Sequence, residues 1–319
     1  MKTTIILLGA ALLILAVLWI FGPRAVITNP PSELPEITTS VDDYLANQES
    51  QVEGLKEGVQ KEVIWAHPDE KKTEYAVIYL HGFSSSRKEI SPVTEDFAKE
   101  IDANVFFQRF SGSGGKSGEA MGDVELTDWM EDALEAVAIG KMIGEKLIIV
   151  GTSHGGLLSM WLASLDAVEP HALILVSPNM GPQDARTKLL ALPWAQTWMP
   201  LLTSSHRSWE AQNSGHEFYW NTRYPSKAVF PLMAQVNYIA PRAPQAIKCP
   251  TLVFYSTKDQ TVRPELIEKA FADFPSTNKK LVLIENSGDA KHHVLAGDIL
   301  SPQTTQVLID EILNFFESI

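Results

Sequence analysis

The chain has 319 residues, of which 45% are hydrophobic and 20% charged, with a formal net charge of −13. That length and balance suit one large domain with an insertion, or two small domains, around an ordinary buried core. No basic cluster stands out, which argues against a nucleic-acid partner, and an acidic surface favours solubility over charge-driven docking on anionic lipid.

The first stretch, "MKTTIILLGAALLILAVLWIFGPR", places Lys2 before an uncharged run from Thr3 to Gly22, followed by Pro23 and Arg24. About 20 apolar residues are enough for a helix to cross a bilayer. No small-x-small cleavage site follows Trp19, and no cysteine near the end of the run can carry a lipid. Residues 1–24 are therefore expected to be an uncleaved membrane anchor rather than a cleaved signal. The N-terminal amine and Lys2 lie on one side. Arg24 lies on the other, followed by Glu33, Glu36, Asp42 and Asp43. This places the N-terminus inside and the rest of the chain outside the cytoplasm, in the periplasm if the source is bacterial. The single cysteine, Cys249, allows no intramolecular disulfide and leaves the compartment open.

Residues 25–59 read as a spacer and a helix. Pro30, Pro31 and Pro35 stiffen "NPPSELPEITTS", and Ser40 with Asp43 forms a capping pair for "VDDYLANQESQ", so the folded domain is expected to begin near residue 40. From residue 60 onward, apolar runs alternate with helical patterns. The runs are "EVIWA", "YAVIYLHG", "ANVFFQRF", "KLIIVG", "ALILVSP", "PTLVFYS" and "KLVLIEN". Several are apolar on both faces, as covered parallel strands are. Leu126, Trp129, Met130, Ala133, Leu134 and Val137 form one helical stripe, and Leu308, Ile312, Phe315 and Phe316 another. The pattern predicts an α/β fold with a mainly parallel sheet flanked by helices.

The alternation fails over residues 179–248, where Trp194, Trp198, Trp209 and Trp220 are concentrated. So long an irregular stretch implies structure of its own. It is read as a helical cap over the sheet, dividing the core into residues 60–178 and 249–319. The tryptophans either pack the cap's own core or line a substrate pocket.

"IIVGTSHGG" holds Gly151, Ser153, His154 and Gly155 in a G-x-S-x-G pattern between an apolar strand and an apolar helix. That context is the one a nucleophile elbow needs: a tight turn exposing the serine at the positive end of the following helix. A serine is a weak nucleophile without a base, and the base needs an orienting acid. In this architecture the chain order is serine, acid, histidine. Asp259 in "STKDQTV" follows a strand and fits the acid; the alternative is an ordinary turn aspartate. The next strand leads to His292 and His293 in "DAKHHVLAGD".

With "YLHGFSSS", "GTSHGG", "STKDQTV" and "HHVLAGD" in this order, the domain from about residue 60 to 319 resembles the α/β-hydrolase superfamily, and most the monoacylglycerol lipase, lysophospholipase and carboxylesterase branch. In that branch the histidine is often followed by two apolar residues and then an acidic one. The resemblance therefore selects His293, with Val294, Leu295 and Asp298 behind it, over His292. It also implies an oxyanion hole from the backbone N–H groups of Phe83 and His154, with His81 and Gly82 shaping the loop.

The expected activity is a serine esterase cleaving apolar acyl esters, such as acylglycerols or lysophospholipids, through Ser153, His293, Asp259 and an acyl-enzyme, with no cofactor or metal. A thioesterase or serine peptidase on the same triad is the alternative, and a non-catalytic binding protein a third. The loop "SGSGGKSGE" ends like a phosphate-binding loop, but Phe110 stands where the first glycine belongs, so it reads as a flexible loop at the site's rim. His292, His293 and Asp289 lack the further ligands a metal site requires.

Overall fold

Six of the seven apolar runs lie side by side as parallel strands in the computed structural model, which describes residues 2–319. The N-terminal amine on Met1, and the Lys2 side chain, both used in the expected orientation, lie outside the described residues and side chains. The seven-stranded sheet contains β1 (Glu62–Ile64), β2 (Thr73–Leu80), β3 (Asn104–Phe107), β4 (Gly144–Thr152), β5 (Ala172–Val176), β8 (Thr251–Tyr255) and β9 (Lys279–Leu283). Their spatial order is β1-β3-β2-β4-β5-β8-β9, and only β1 runs antiparallel to its neighbour. The missing numbers are a small hairpin, β6 (His206–Ser208) with β7 (Arg223–Pro225).

β2 explains why the runs are apolar on both faces. Ala76, Ile78 and Leu80 enter one core, while Val77 and Tyr79 enter the other. The first core is covered by α2 (Val41–Glu49), α4 (Asp128–Ile143), α5 (His154–Leu162), α8 (Val229–Ile239) and α9 (Pro264–Asp273). The second is covered by α3 (Val93–Glu100) and α10 (Pro302–Phe316). Both stripes expected from the sequence, on α4 and α10, face these cores. A parallel sheet covered on both faces collects functional groups at the carboxyl ends of its strands.

α2 begins where the capping pair predicts: the Ser40 hydroxyl accepts the Asp43 N–H at 3.2 Å. The proline-rich segment ahead of it is not a free spacer. Ala25 and Ile27 are buried in the first core, so packing starts well before residue 40. Prolines fixed the extended backbone, but alternate apolar residues let it lie along the domain. α1 (Lys2–Phe21) is long and apolar enough to span a membrane over Thr4–Phe21, with a mean hydropathy of 2.8, and it projects from the domain.

The insertion between β5 and β8 contains α6 (Ala195–Leu202), α7 (Ser214–Tyr219) and α8, with the β6–β7 hairpin among them. It is largely helical, as expected, but the hairpin adds a feature absent from the sequence reading. Its strands are three residues each and one ends in proline, too short to show alternation.

Candidate active site

Ser153 stands between the end of β4 and the start of α5, with φ 53° and ψ −113°. This is a strained conformation for a residue with a side chain, and it is over-determined by its surroundings. Its N–H donates to the Val176 carbonyl at 2.8 Å, and its carbonyl accepts the Asn179 N–H at 2.9 Å. Gly155 is required by close approach: a Cβ there would collide with the Leu80 backbone. At Gly151 a Cβ would strike Ser159 and the Gly155 backbone, so the strand and helix pack in contact at the turn.

His293 Nε2 lies 2.9 Å from Ser153 Oγ, and His293 Nδ1 lies 2.7 Å from Asp259 Oδ2. Ser153 directly follows β4, while Asp259 and His293 lie on the loops after β8 and β9, and all three residues are buried. Asp259 is itself fixed, because its Oδ1 accepts the backbone N–H groups of Thr261 at 2.7 Å and Val262 at 2.9 Å. Burial alone pushes the His293 imidazolium toward losing its proton. The Asp259 charge and hydrogen bond, aided by Glu89 and Asp289, reverse this and hold its pKa above the ordinary histidine value. His292, in a left-handed backbone conformation, turns the other way; its Nδ1 lies 3.2 Å from Ser287 Oγ.

Two further acids complete the frame: Asp289, weighed from the sequence only as a metal ligand, and Glu89, which the sequence did not single out. Asp289 is buried, and its Oδ2 accepts the N–H of His293 at 2.9 Å and of Val294 at 3.0 Å. Its Oδ1 takes Gln212 Nε2–H at 2.6 Å, which ties the histidine loop to the insertion. Burial raises the Asp289 pKa, but these donors outweigh it and leave a net lowering. The signal was visible as an aspartate four residues before the histidine, but a turn aspartate carries no distinctive pattern. Glu89 lies beneath the His81-Gly82 loop. Its Oε2 accepts the Gly82 N–H at 2.6 Å and lies 3.2 Å from the Tyr79 hydroxyl, which lies 3.0 Å from Thr152 Oγ1. Burial pushes the Glu89 carboxyl up to about 7.

His81 Nε2 accepts the Phe110 N–H at 3.2 Å, so Nδ1 carries the proton and donates it to the Gly82 carbonyl at 2.8 Å. Burial pushes its pKa down to about 4, so it is neutral and braces the loop. Among the described residues, no backbone or side-chain acceptor takes the N–H of Phe83 or of His154. The His154 ring packs against Trp129 with 5.2 Å between centroids. Burial pushes its pKa down to about 3. Gln235 lies beside it, but neither ring nitrogen reaches hydrogen-bond geometry, and Gln235 Oε1 is also unbonded.

Ser153 and His293 open into a cavity of about 520 Å³. Phe83, Leu190, Met233 and Val294 give it an apolar wall, and two of the four insertion tryptophans, Trp209 and Trp220, line it. The ring of His216 sits between those two, 4.6 and 4.7 Å from them. The glycine-rich loop at 111–119 does not line this cavity. Glu119 bonds Arg223 at 2.8 Å and His206 at 3.0 Å, which holds the loop against the insertion.

The sheet order, the strained serine turn and the helices on both faces define an α/β hydrolase. The chain belongs to the Hydrolase_4 family, described as serine aminopeptidase, S33, whose profile matches residues 71–296. It is similar to the thermostable monoacylglycerol lipase of Bacillus sp. (strain H-257), with 26% identity over 250 residues, covering 75% of this chain and 89% of the lipase. Among solved structures, the metagenome-derived lipolytic enzymes LipS and LipT share the fold at a TM-score of 0.66 and 20% identity, over 84% of this chain and 100% of theirs. A soluble variant of monoglyceride lipase from Saccharomyces cerevisiae does so at a TM-score of 0.61 and 14% identity, over 93% of this chain and 97% of its own.

Proposed function

We propose that the protein is a serine esterase acting on carboxylic esters with apolar acyl chains, with monoacylglycerols the leading class. The observation that carries this reading is the continuous Ser153–His293–Asp259 chain of contacts, at 2.9 and 2.7 Å, opening on an apolar cavity. Ser153 Oγ attacks the ester carbonyl as His293 Nε2 takes its proton. Asp259 keeps the imidazole oriented and stabilises its positive charge. The N–H groups of Phe83 and His154 donate to the oxyanion, aided by the positive end of α5. The tetrahedral intermediate collapses, His293 gives its proton to the leaving alcohol, and Ser153 keeps the acyl group. Water, deprotonated by His293, then attacks the acyl-enzyme and releases the acid.

In this reading residues 179–248 form a cap over a core made of residues 60–178 and 249–319, and α1 anchors the enzyme with its catalytic domain outside the cytoplasm. The length and composition of α1 support the anchor. The similarity to a monoacylglycerol lipase supports the substrate class.

The family description favours a second reading, a peptidase that releases an N-terminal residue. The same triad serves both, and the cavity wall also contains Glu210, a carboxylate suited to a substrate ammonium. A fluorophosphonate probe tests for the shared nucleophile: labelling is expected at Ser153 and lost in Ser153→Ala, and an unlabelled wild type rejects both readings. A panel of monoacylglycerols, lysophospholipids, p-nitrophenyl esters, acyl thioesters and aminoacyl amides then separates them. Turnover of the amides ahead of every ester overturns the esterase.

A further inference from the structure

α6 and the end of α1 are joined. Trp194 adopts a left-handed conformation, φ 60°, at the start of α6. Its backbone N–H donates to the Pro23 carbonyl at 2.8 Å, and its indole N–H to the Leu18 carbonyl at 3.0 Å. The ring lies against Gly22, where a Cβ would collide with it. Arg24 closes the same helix end, donating to the carbonyls of Trp19 at 3.1 Å and Ile20 at 3.2 Å. A tryptophan and an arginine at the end of an apolar helix are the side chains that settle at a membrane–water boundary.

From this junction α6 runs to Leu201 and Leu202, which are 82% and 76% exposed, and Leu189 is exposed nearby. Adjacent large apolar side chains in water signal a partner. The charge distribution identifies its chemistry. Residues 179–248 carry seven Lys and Arg against three Asp and Glu, a formal +4, which leaves −17 on the rest of a chain totalling −13. The net charge argues against docking on anionic lipid only if it is spread evenly, and it is not. Of the seven, Arg223 and Lys227 pair with Glu119 and Asp123 outside the insertion and Arg186 with Asp184 inside it, while Lys188 and Arg207 are exposed near α6.

We propose that the α6 face is a second membrane contact, docked on the anionic surface of the bilayer that α1 enters. This rests on α1 being retained as an anchor. Apolar side chains enter the boundary layer while basic ones meet lipid phosphates. A cavity of about 610 Å³ beneath α6 is lined by Trp198, Met199 and Leu202. It shares Asp184, Thr187, Leu190, Arg207 and Val229 with the cavity at Ser153. Docking in this pose turns the cavity beneath α6, which adjoins the one at Ser153, toward the lipid.

The test uses the full chain with Cys249→Ala, a single Leu201→Cys carrying an environment-sensitive fluorophore, and vesicles containing lipid spin-labelled near the headgroup. A Glu100→Cys label on α3, across the sheet, is the control. Flotation with the vesicles reports the anchor. Quenching at position 201 well above that at position 100, stronger with phosphatidylglycerol than with phosphatidylcholine alone, is expected. Flotation with equal quenching at the two positions overturns the contact and leaves the anchor. Quenching indifferent to phosphatidylglycerol overturns the anionic assignment, and failure to float overturns anchor and contact together. In parallel, Leu201→Glu is expected to slow hydrolysis of vesicle-borne monoacylglycerol about tenfold and leave a soluble short-chain ester unaffected. The same fold-change on both substrates, or none on either, overturns the proposal.

Discussion

The Glu89 carboxylate accepts the Gly82 N–H at 2.6 Å, placing a buried acid directly under the loop that carries Phe83. Through Tyr79 the same acid is linked to Thr152, next to Ser153. Its pKa, pushed up to about 7 by burial, lies above the unfolded value of 4.5. The folded chain therefore binds the extra proton between those limits. The stability from Glu89 is full below pH 4.5 and is lost as pH rises through 7. Unfolding of the wild type and of Glu89→Gln is expected to show it: the wild-type advantage shrinks by roughly 3 kcal/mol between pH 4.5 and 8. A difference flat with pH rejects the assignment. The variant also loses kcat, because a neutral amide holds the Gly82 N–H less strongly than a carboxylate.

Ser153→Ala is expected to abolish ester hydrolysis, by about 10⁴-fold or more, with the circular dichroism spectrum and melting temperature retained. His293→Ala should be nearly as damaging, and His292→Ala should cost less than about threefold. Equal losses at the two histidines refute the choice between them. The geometry behind it is simple: His293 spans Ser153 and Asp259, while His292 faces Ser287.

The parts of this molecule legible in its sequence are those governed by local rules. The central strands stood out because both their faces are covered, while the edge strands β1 and β9 stay partly exposed and showed only as short apolar runs. The serine turn stood out because Gly151 and Gly155 must let a strand and a helix touch. The rest depends on which chains meet. Glu89 reads as one acid in "SSSRKEIS" until folding buries it under Gly82. The four insertion tryptophans look equivalent in sequence. Only packing sends Trp209 and Trp220 to the cavity and Trp194 to α1. The basic character of the insertion was countable but hidden in the whole-chain charge.

Asp289 makes a prediction about positioning rather than chemistry. It makes no hydrogen bond to Ser153, but holds the backbone of His293 and Val294. Asp289→Ala leaves two buried N–H groups unpaired, which is expected to lower stability by about 2–3 kcal/mol in urea unfolding. Because His293 then wanders from Ser153, kcat should fall about 10- to 100-fold with little change in KM. Asp289→Asn, which keeps one acceptor, should recover part of both. A stability loss with kcat intact would assign Asp289 to the fold alone.

The pH–rate profile follows from the balance on His293. The general base must be neutral, so kcat/KM rises as the imidazolium loses its proton. Burial lowers the pKa of this group, but Asp259 more than offsets it, so the acid limb is expected above the ordinary histidine value of 6.5. A limb centred below 6.5 rejects this. Asp259→Asn removes the two largest influences that raise the pKa, the charge and its hydrogen bond. Its limb should move to lower pH while kcat falls about 10⁴-fold, since an amide also leaves the imidazole in the wrong tautomer. A fall in rate with the limb unmoved would show that Asp259 orients His293 without tuning its charge, and would shift that role to Glu89 and Asp289, whose charges also raise it.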